Sequence, residues 1–273
     1  MGFLRELAAY TGLAVMVWSN GCSADKIGKP DKAVESFTPY SGKPVETVIS
    51  EKLSDVKLEE ESKEQTPALN KDSCQNLEIG VIGASNTVES KGREGIDDLF
   101  ENRCEGTEVY IYAKGGRGPR GQRFLLSYML SKHPDLDYVI LNPSENEMVR
   151  DSLEDYIINV VFLAESVKRT NADTKVLILT NTPSKGHSQG KPWGWTAELQ
   201  VKKDQFNANL LNNKLGRPDL IDFAVDTYSA VEDPPGSDEC GRYCNIFNDK
   251  VHLGTEGQIK VVDAILAEAF DSR

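Results

Sequence analysis

The 273-residue chain contains only three histidines, His133, His187 and His252. A reaction that needs an imidazole has few places to find one. No spacing of cysteines and histidines reads as a zinc site, so no metal or cofactor is expected. Basic residues are also in deficit. Lysine and arginine number 31 against 43 acidic residues, which gives a net charge of -12. An acidic surface repels phosphate backbones, which argues against nucleic acid as a partner. The sequence lacks an apolar run of the ~20 residues that a transmembrane helix needs. It shows no internal repeat and no second folded domain. What is present is ordinary: hydrophobic residues make up 39% of the chain, enough for a real core.

The N-terminal third divides in two. Residues 7–18 (LAAYTGLAVMVW) are mostly apolar and fit the central region of a signal peptide. The Ser19-Asn20-Gly21-Cys22 segment that follows resembles a bacterial lipoprotein cleavage site, although Ser19 stands where such sites usually carry Leu. That resemblance implies lipidation of Cys22 and a lipid anchor to a membrane. The alternatives are a plain signal peptide and a buried N-terminal helix. Residues 1–22 are therefore read as a signal peptide or lipoprotein signal. Residues 23–73 are rich in Lys, Glu, Ser, Pro and Asp, as in KLEEESKEQ, and are read as a flexible linker. Residues 74–273 form the folded domain, and the whole is expected to be exported, to the periplasm or the cell surface.

Five cysteines fit this division. An odd count in an exported protein suggests that one has a separate job, and Cys22 is that one. Cys74 lies just before the first predicted strand and Cys104 just before the second. The starts of neighbouring parallel strands are close, so these two can bridge. Cys240 and Cys244 share a short glycine-containing loop and can close on each other. The alternative is free buried thiols.

From residue 76 short apolar runs alternate with longer amphipathic ones. Strands are predicted at 77–83, 108–113, 137–142, 175–181 and 220–225. Helices are predicted at 95–102, 120–132, 147–169, 197–213 and 255–270. Near-continuous apolar strands are buried on both faces, which predicts a parallel sheet with helices on each side. The expected fold is a flavodoxin-like three-layer α/β/α sandwich on a five-stranded parallel sheet. In such sheets sites form beyond the carboxyl ends of the strands.

Those ends carry chemistry. The first gives Gly83-Ala84-Ser85-Asn86-Thr87, a serine in a glycine-led turn whose N–H can face an oxyanion. The second gives Lys114-Gly115-Gly116-Arg117-Gly118, where backbone can approach a ligand closely. The third gives Asn142-Pro143-Ser144-Glu145-Asn146-Glu147, with the Asn146 amide as a donor. Asp249-Lys250-Val251-His252-Leu253-Gly254 precedes the last helix.

Together these segments resemble the SGNH, or GDSL-like, hydrolase family, over about residues 77–270. Ser85 falls on the family's nucleophile, Gly115 or Gly116 on the second-block glycine, Asn146 on the third-block asparagine. Asp249 and His252 match the last block with its Asp-x-x-His spacing. Ala84 replaces the usual Asp, and Ser144 and Glu147 replace the Gly and Asp of the third block. The resemblance implies a serine esterase with a Ser85-His252-Asp249 triad. A hydroxyl becomes a good nucleophile when a base takes its proton, and a carboxylate orients that base. Backbone N–H groups of Ser85 and of Gly115 or Gly116, with the Asn146 amide, would form the oxyanion hole. His133 precedes Pro134 at a helix end and is assigned to capping or solvent.

The loop 182–196 holds His187, Trp193 and Trp195, the candidate substrate-binding residues. Its tryptophans either stack on a sugar or form a local hydrophobic plug. The expected reaction is hydrolysis of an O-acyl ester, such as an O-acetyl ester, on a small molecule or glycan. Two alternatives use the same fold: a glycan O-acyltransferase and a non-catalytic binding protein.

Overall fold

The structure, a computed structural model, describes residues 74–87, 95–185, 194–244 and 250–270. The chain divides into two units, Met1–Lys63 and Glu64–Arg273, and every described residue belongs to the second. The leader, Cys22 and most of the linker fall in the first unit, outside the described residues.

Five strands form one sheet: β1 (Glu78–Gly83), β2 (Glu108–Ala113), β3 (Tyr138–Leu141), β4 (Lys175–Leu179) and β5 (Phe223–Val225). The order is β2-β1-β3-β4-β5 and every pairing is parallel. This is the order of the expected flavodoxin-like fold. Among the described residues six α-helices connect and cover it: α1 (Ile96–Glu101), α2 (Pro119–Lys132), α3 (Leu153–Thr170), α4 (Ala197–Asn213), α5 (Thr227–Val231) and α6 (Thr255–Ala269).

The period of two along each strand splits the core into two layers. Ile79, Val81, Ile140 and Leu177 face α1 and α6, meeting Phe100, Val262 and Phe270. Ile82, Val139, Leu141 and Ile178 face α2, α3 and α4, meeting Met129, Tyr156 and Phe206. All of these side chains are fully buried, which is why the strands read as continuous apolar runs.

Three boundaries differ from expectation. Helix α3 begins at Leu153, not 147. Ser152 caps it by accepting from the Asp155 N–H, and residues 145–151 form hydrogen-bonded turns instead. Strand β4 stops at Leu179, since the Asn181 N–H turns to the Asn207 side chain. Strand β5 starts at Phe223, because Leu220 and Ile221 donate to the Arg217 carbonyl in a turn. Helix α5 was not expected; Asp226 caps it.

Both expected disulfides are present. Cys74–Cys104 joins the approaches to β1 and β2, whose first residues Glu78 and Glu108 are partners in the ladder. Cys240–Cys244 closes the loop ahead of α6. Among the described residues no helix is long and apolar enough to cross a membrane.

Candidate active site

A cavity of about 290 Å³ opens beyond the carboxyl ends of β1, β3 and β4. The chain leaves β1 for β2 on one side and later crosses to β3 on the other. The β1/β3 junction is therefore the topological switch point, where the ends of adjacent strands diverge and leave a crevice. Ala84, Ser85 and Asn86 enter the wall from β1, Asn142 and 144–146 from β3, and Asn181 and Thr182 from β4. Val251 and His252 enter from the segment before α6. Ser85 and His252, 167 positions apart, thus line one cavity.

The turn carrying Ser85 is tight. The Thr87 N–H bonds to the Ala84 carbonyl, and the Thr87 side chain lies where a Cβ on Gly83 would be. Only glycine fits there, which gives the first-block glycine its physical reason. Asn86 then reaches across. Its Nδ2 donates to the Val251 carbonyl at 3.1 Å, and its Oδ1 accepts from the Leu253 N–H at 3.1 Å. The buried Gln258 of α6 donates to the Asn86 carbonyl at 2.5 Å.

The structure separates the two second-block glycines. A Cβ placed on Gly115 would lie 3.8 Å from Ser85 Cβ, whereas Gly116 meets nothing within 4 Å and adopts φ +73°. Gly115 is the one beside the serine. Gly116 serves the turn, in the left-handed region that favours glycine.

The third-block departures also find roles. Asn146 Nδ2 donates to Ser144 Oγ at 2.5 Å, so the serine orients the carboxamide. The Glu147 carboxylate accepts from the N–H groups of Arg120 and Gly121 at 2.7 and 2.9 Å. It caps the first turn of α2, a favourable place for a negative charge, and ties the third-block loop to the second. Glu145 pairs at 2.8 Å with the fully buried Lys203 of α4, and Ser184 and the Thr182 carbonyl complete the lysine's partners.

Below the cavity Tyr156 donates to the Pro143 carbonyl at 2.5 Å and shares a hydrogen bond with Asn181. Burial pushes this phenol well above its ordinary pKa, so it is held as a neutral donor. Asn142 donates to Thr87 Oγ1 at 3.1 Å, linking the ends of β1 and β3. Asn142, Asn181, Thr182, Val149 and Arg150 were not among the residues singled out from sequence. The first three sit at strand ends, so the strand-end rule could have found them.

The remaining expectations fall out as follows. Asp249, His187 and Trp193 lie outside the described residues. Trp195 is described but is not among the residues lining the cavity; its indole N–H donates to Gln200 at 2.9 Å. His133 terminates α2, stacks on Tyr110 at 3.8 Å and bonds to the Tyr112 hydroxyl.

No protein-family model and no curated protein matches the chain. Solved structures do. A GDSL-like lipase from Bacteroides thetaiotaomicron VPI-5482 aligns with TM-score 0.51 and 16% identity, over 70% of this chain and 86% of its own. A member of the lipolytic G-D-S-L family from Veillonella parvula DSM 2008 aligns with TM-score 0.50 and 17% identity, over 70% and 95%. The fold is that of the GDSL-like hydrolases. A catalytic mutant of an acetylxylan esterase from Geobacillus stearothermophilus aligns with TM-score 0.50 and 15% identity, over 71% and 94%. At these identities the likeness speaks for the GDSL-like fold alone.

Proposed function

We propose that the protein is an exported serine esterase that hydrolyses an O-acyl ester on a carbohydrate, with an acetyl ester as the simplest case. The observation that carries this reading is the shared cavity: Ser85 and His252 line it together, and Asn146 stands on its wall. Ser85 Oγ attacks the ester carbonyl carbon while His252 accepts the hydroxyl proton. The resulting oxyanion is met by the N–H groups of Ser85 and Gly115 and by the Asn146 carboxamide. Collapse breaks the bond to the alcohol, which leaves with the proton from His252, and the acyl group stays on Ser85. Water then attacks the acyl-enzyme, His252 takes its proton, and the carboxylic acid departs from a restored serine. Asp249, three residues upstream, is assigned to orient the imidazole and stabilise its cationic form.

The glycan preference is supported by the polar wall, where Asn142, Asn146, Asn181 and Thr182 offer donors and acceptors to hydroxyl groups. Export is supported by the two disulfides, which persist in oxidising compartments. Lipidation of Cys22 would then hold the enzyme at a membrane, with residues 23–73 as the tether.

The deciding experiment compares p-nitrophenyl acetate turnover by the purified protein and by Ser85→Ala. Loss of the nucleophile is expected to lower turnover at least ~10⁴-fold. A fluorophosphonate probe should add mass to the Ser85 peptide alone. Equal turnover by the two proteins would exclude the reading.

A further inference from the structure

Among the described residues the cavity wall holds three ionisable side chains besides Ser85: Glu145, Arg150 and His252. The Glu145 charge is answered from behind by Lys203. Arg150 is different. The acids beside it in sequence are engaged elsewhere: Glu147 caps α2, and Asp151 pairs with Arg120 at 2.8 Å. The neighbouring cation Lys202 is also engaged, with Glu198 and the Met148 and Asp151 carbonyls. Among the described residues no carboxylate pairs with the Arg150 guanidinium. Arg150 is thus an exposed cation on the wall that no described carboxylate answers, in a chain whose total is -12.

Its position is specific. Residues 145–151 form successive turns, with Met148 bonded to Glu145 and Asp151 to Glu147. Asn146 and Arg150 both come from this run of turns and line the same cavity. A guanidinium offers a planar fork of donors that matches an oxyanion in two-point contact. The surrounding asparagines and Thr182 suit hydroxyl groups, while Ala84, Val149 and Val251 leave apolar surface for a short acyl group.

We propose that Arg150 forms an anion subsite, and that the preferred substrates are O-acyl esters of acidic sugars bearing a carboxylate or a phosphate near the ester. This rests on the esterase reading above. The test uses three matched methyl galactosides acetylated on the ring: galacturonate, galactose 6-phosphate and neutral galactose. At low salt an acidic sugar is expected to exceed the neutral one about tenfold in kcat/KM, mainly through KM. Added salt should narrow the gap, since the guanidinium is exposed. In Arg150→Gln the ratio of acidic to neutral kcat/KM should fall to about one, and Arg150→Lys should keep part of it. Preference for galacturonate assigns the anion as carboxylate, and preference for the phosphate assigns it as phosphoryl. Equal kcat/KM for all three, with turnover that Ser85→Ala abolishes, overturns the subsite and leaves the esterase reading standing. Turnover that survives Ser85→Ala overturns the esterase reading instead. If no acetylated sugar is turned over, inhibition of p-nitrophenyl acetate hydrolysis by free galacturonate, galactose 6-phosphate and galactose decides the matter: either acid inhibiting better than galactose supports the subsite, and equal inhibition by all three rejects it.

Discussion

The carboxamide of Asn86 bonds to the peptide groups on both sides of His252, donating to Val251 and accepting from Leu253. One side chain thus sets the separation between the turn carrying Ser85 and the segment carrying His252. Asn86→Ala is expected to lower kcat for p-nitrophenyl acetate about 10²-fold with little change in KM, because an error of ~1 Å between reacting groups has that effect. Asn86→Asp should also be impaired, since its carboxylate would face the Val251 carbonyl. Steady-state kinetics beside a circular-dichroism melt separates this from loss of fold.

The pair of Glu145 and Lys203 makes a prediction about stability. Lys203 is fully buried and Glu145 only partly exposed. Lys203→Met would leave the carboxylate without its cation and is expected to destabilise the fold by ~3 kcal/mol. The double substitution Lys203→Met with Glu145→Gln should recover part of that loss. Urea denaturation of the two variants measures it.

The two disulfides should separate stability from activity. Cys74–Cys104 spans 30 residues of sequence and Cys240–Cys244 spans four. Chain entropy assigns ~3–4 kcal/mol to the first and ~2 kcal/mol to the second. Only the second adjoins the histidine segment, where the Tyr243 carbonyl inside the closed loop accepts from the Gly254 N–H at 2.7 Å. Replacing Cys240 and Cys244 by Ser is expected to reduce kcat, whereas replacing Cys74 and Cys104 should lower the melting temperature further yet keep kcat below it.

Acid sensitivity should trace in part to Asp222. Burial disfavours its charge. The Lys168 ammonium at 2.8 Å, the Val176 N–H and Lys175 outweigh that, and its carboxyl sits below the ordinary range. A depressed pKa contributes stability that is present above the unfolded value, about 4, and is lost as pH falls through the folded value. Asp222→Asn should therefore lower the urea midpoint at pH 6 and flatten its decline between pH 4 and pH 2.

The alternation of apolar runs was enough to read the sheet, because strands buried on both faces carry their burial in every residue. The Cys74–Cys104 pairing followed from neighbouring strand starts, and Cys240–Cys244 from a shared short loop. The boundary of α3 was not legible, since Val149 and Leu153 continue a helical stripe backwards past Ser152. What stops the helix is a cap and a set of turns in which Glu147 serves another helix. On the cavity wall, Ser85 and Asn146 were legible as strand-end residues and His252 as the histidine just before the last helix, while the choice between Gly115 and Gly116 was not. Lys203 was not: a lysine in an amphipathic helix reads as solvated, and only a carboxylate arriving from β3 explains its burial. Asn86 was visible as a residue and opaque as a clamp, because its partners lie more than 160 positions away.

The bridge at Cys74 has a mechanical side. Any tension drawn through residues 1–73 enters the described fold at Cys74, four residues before β1. Without the bridge that load would fall on the hydrogen bonds at the start of a central strand and could peel them apart one by one. With it, the force crosses at once into the loop after α1 and is shared with the approach to β2. A chain held at its leading end under flow would yield elsewhere first, and the strand that presents Ser85 would be among the last elements to feel the pull.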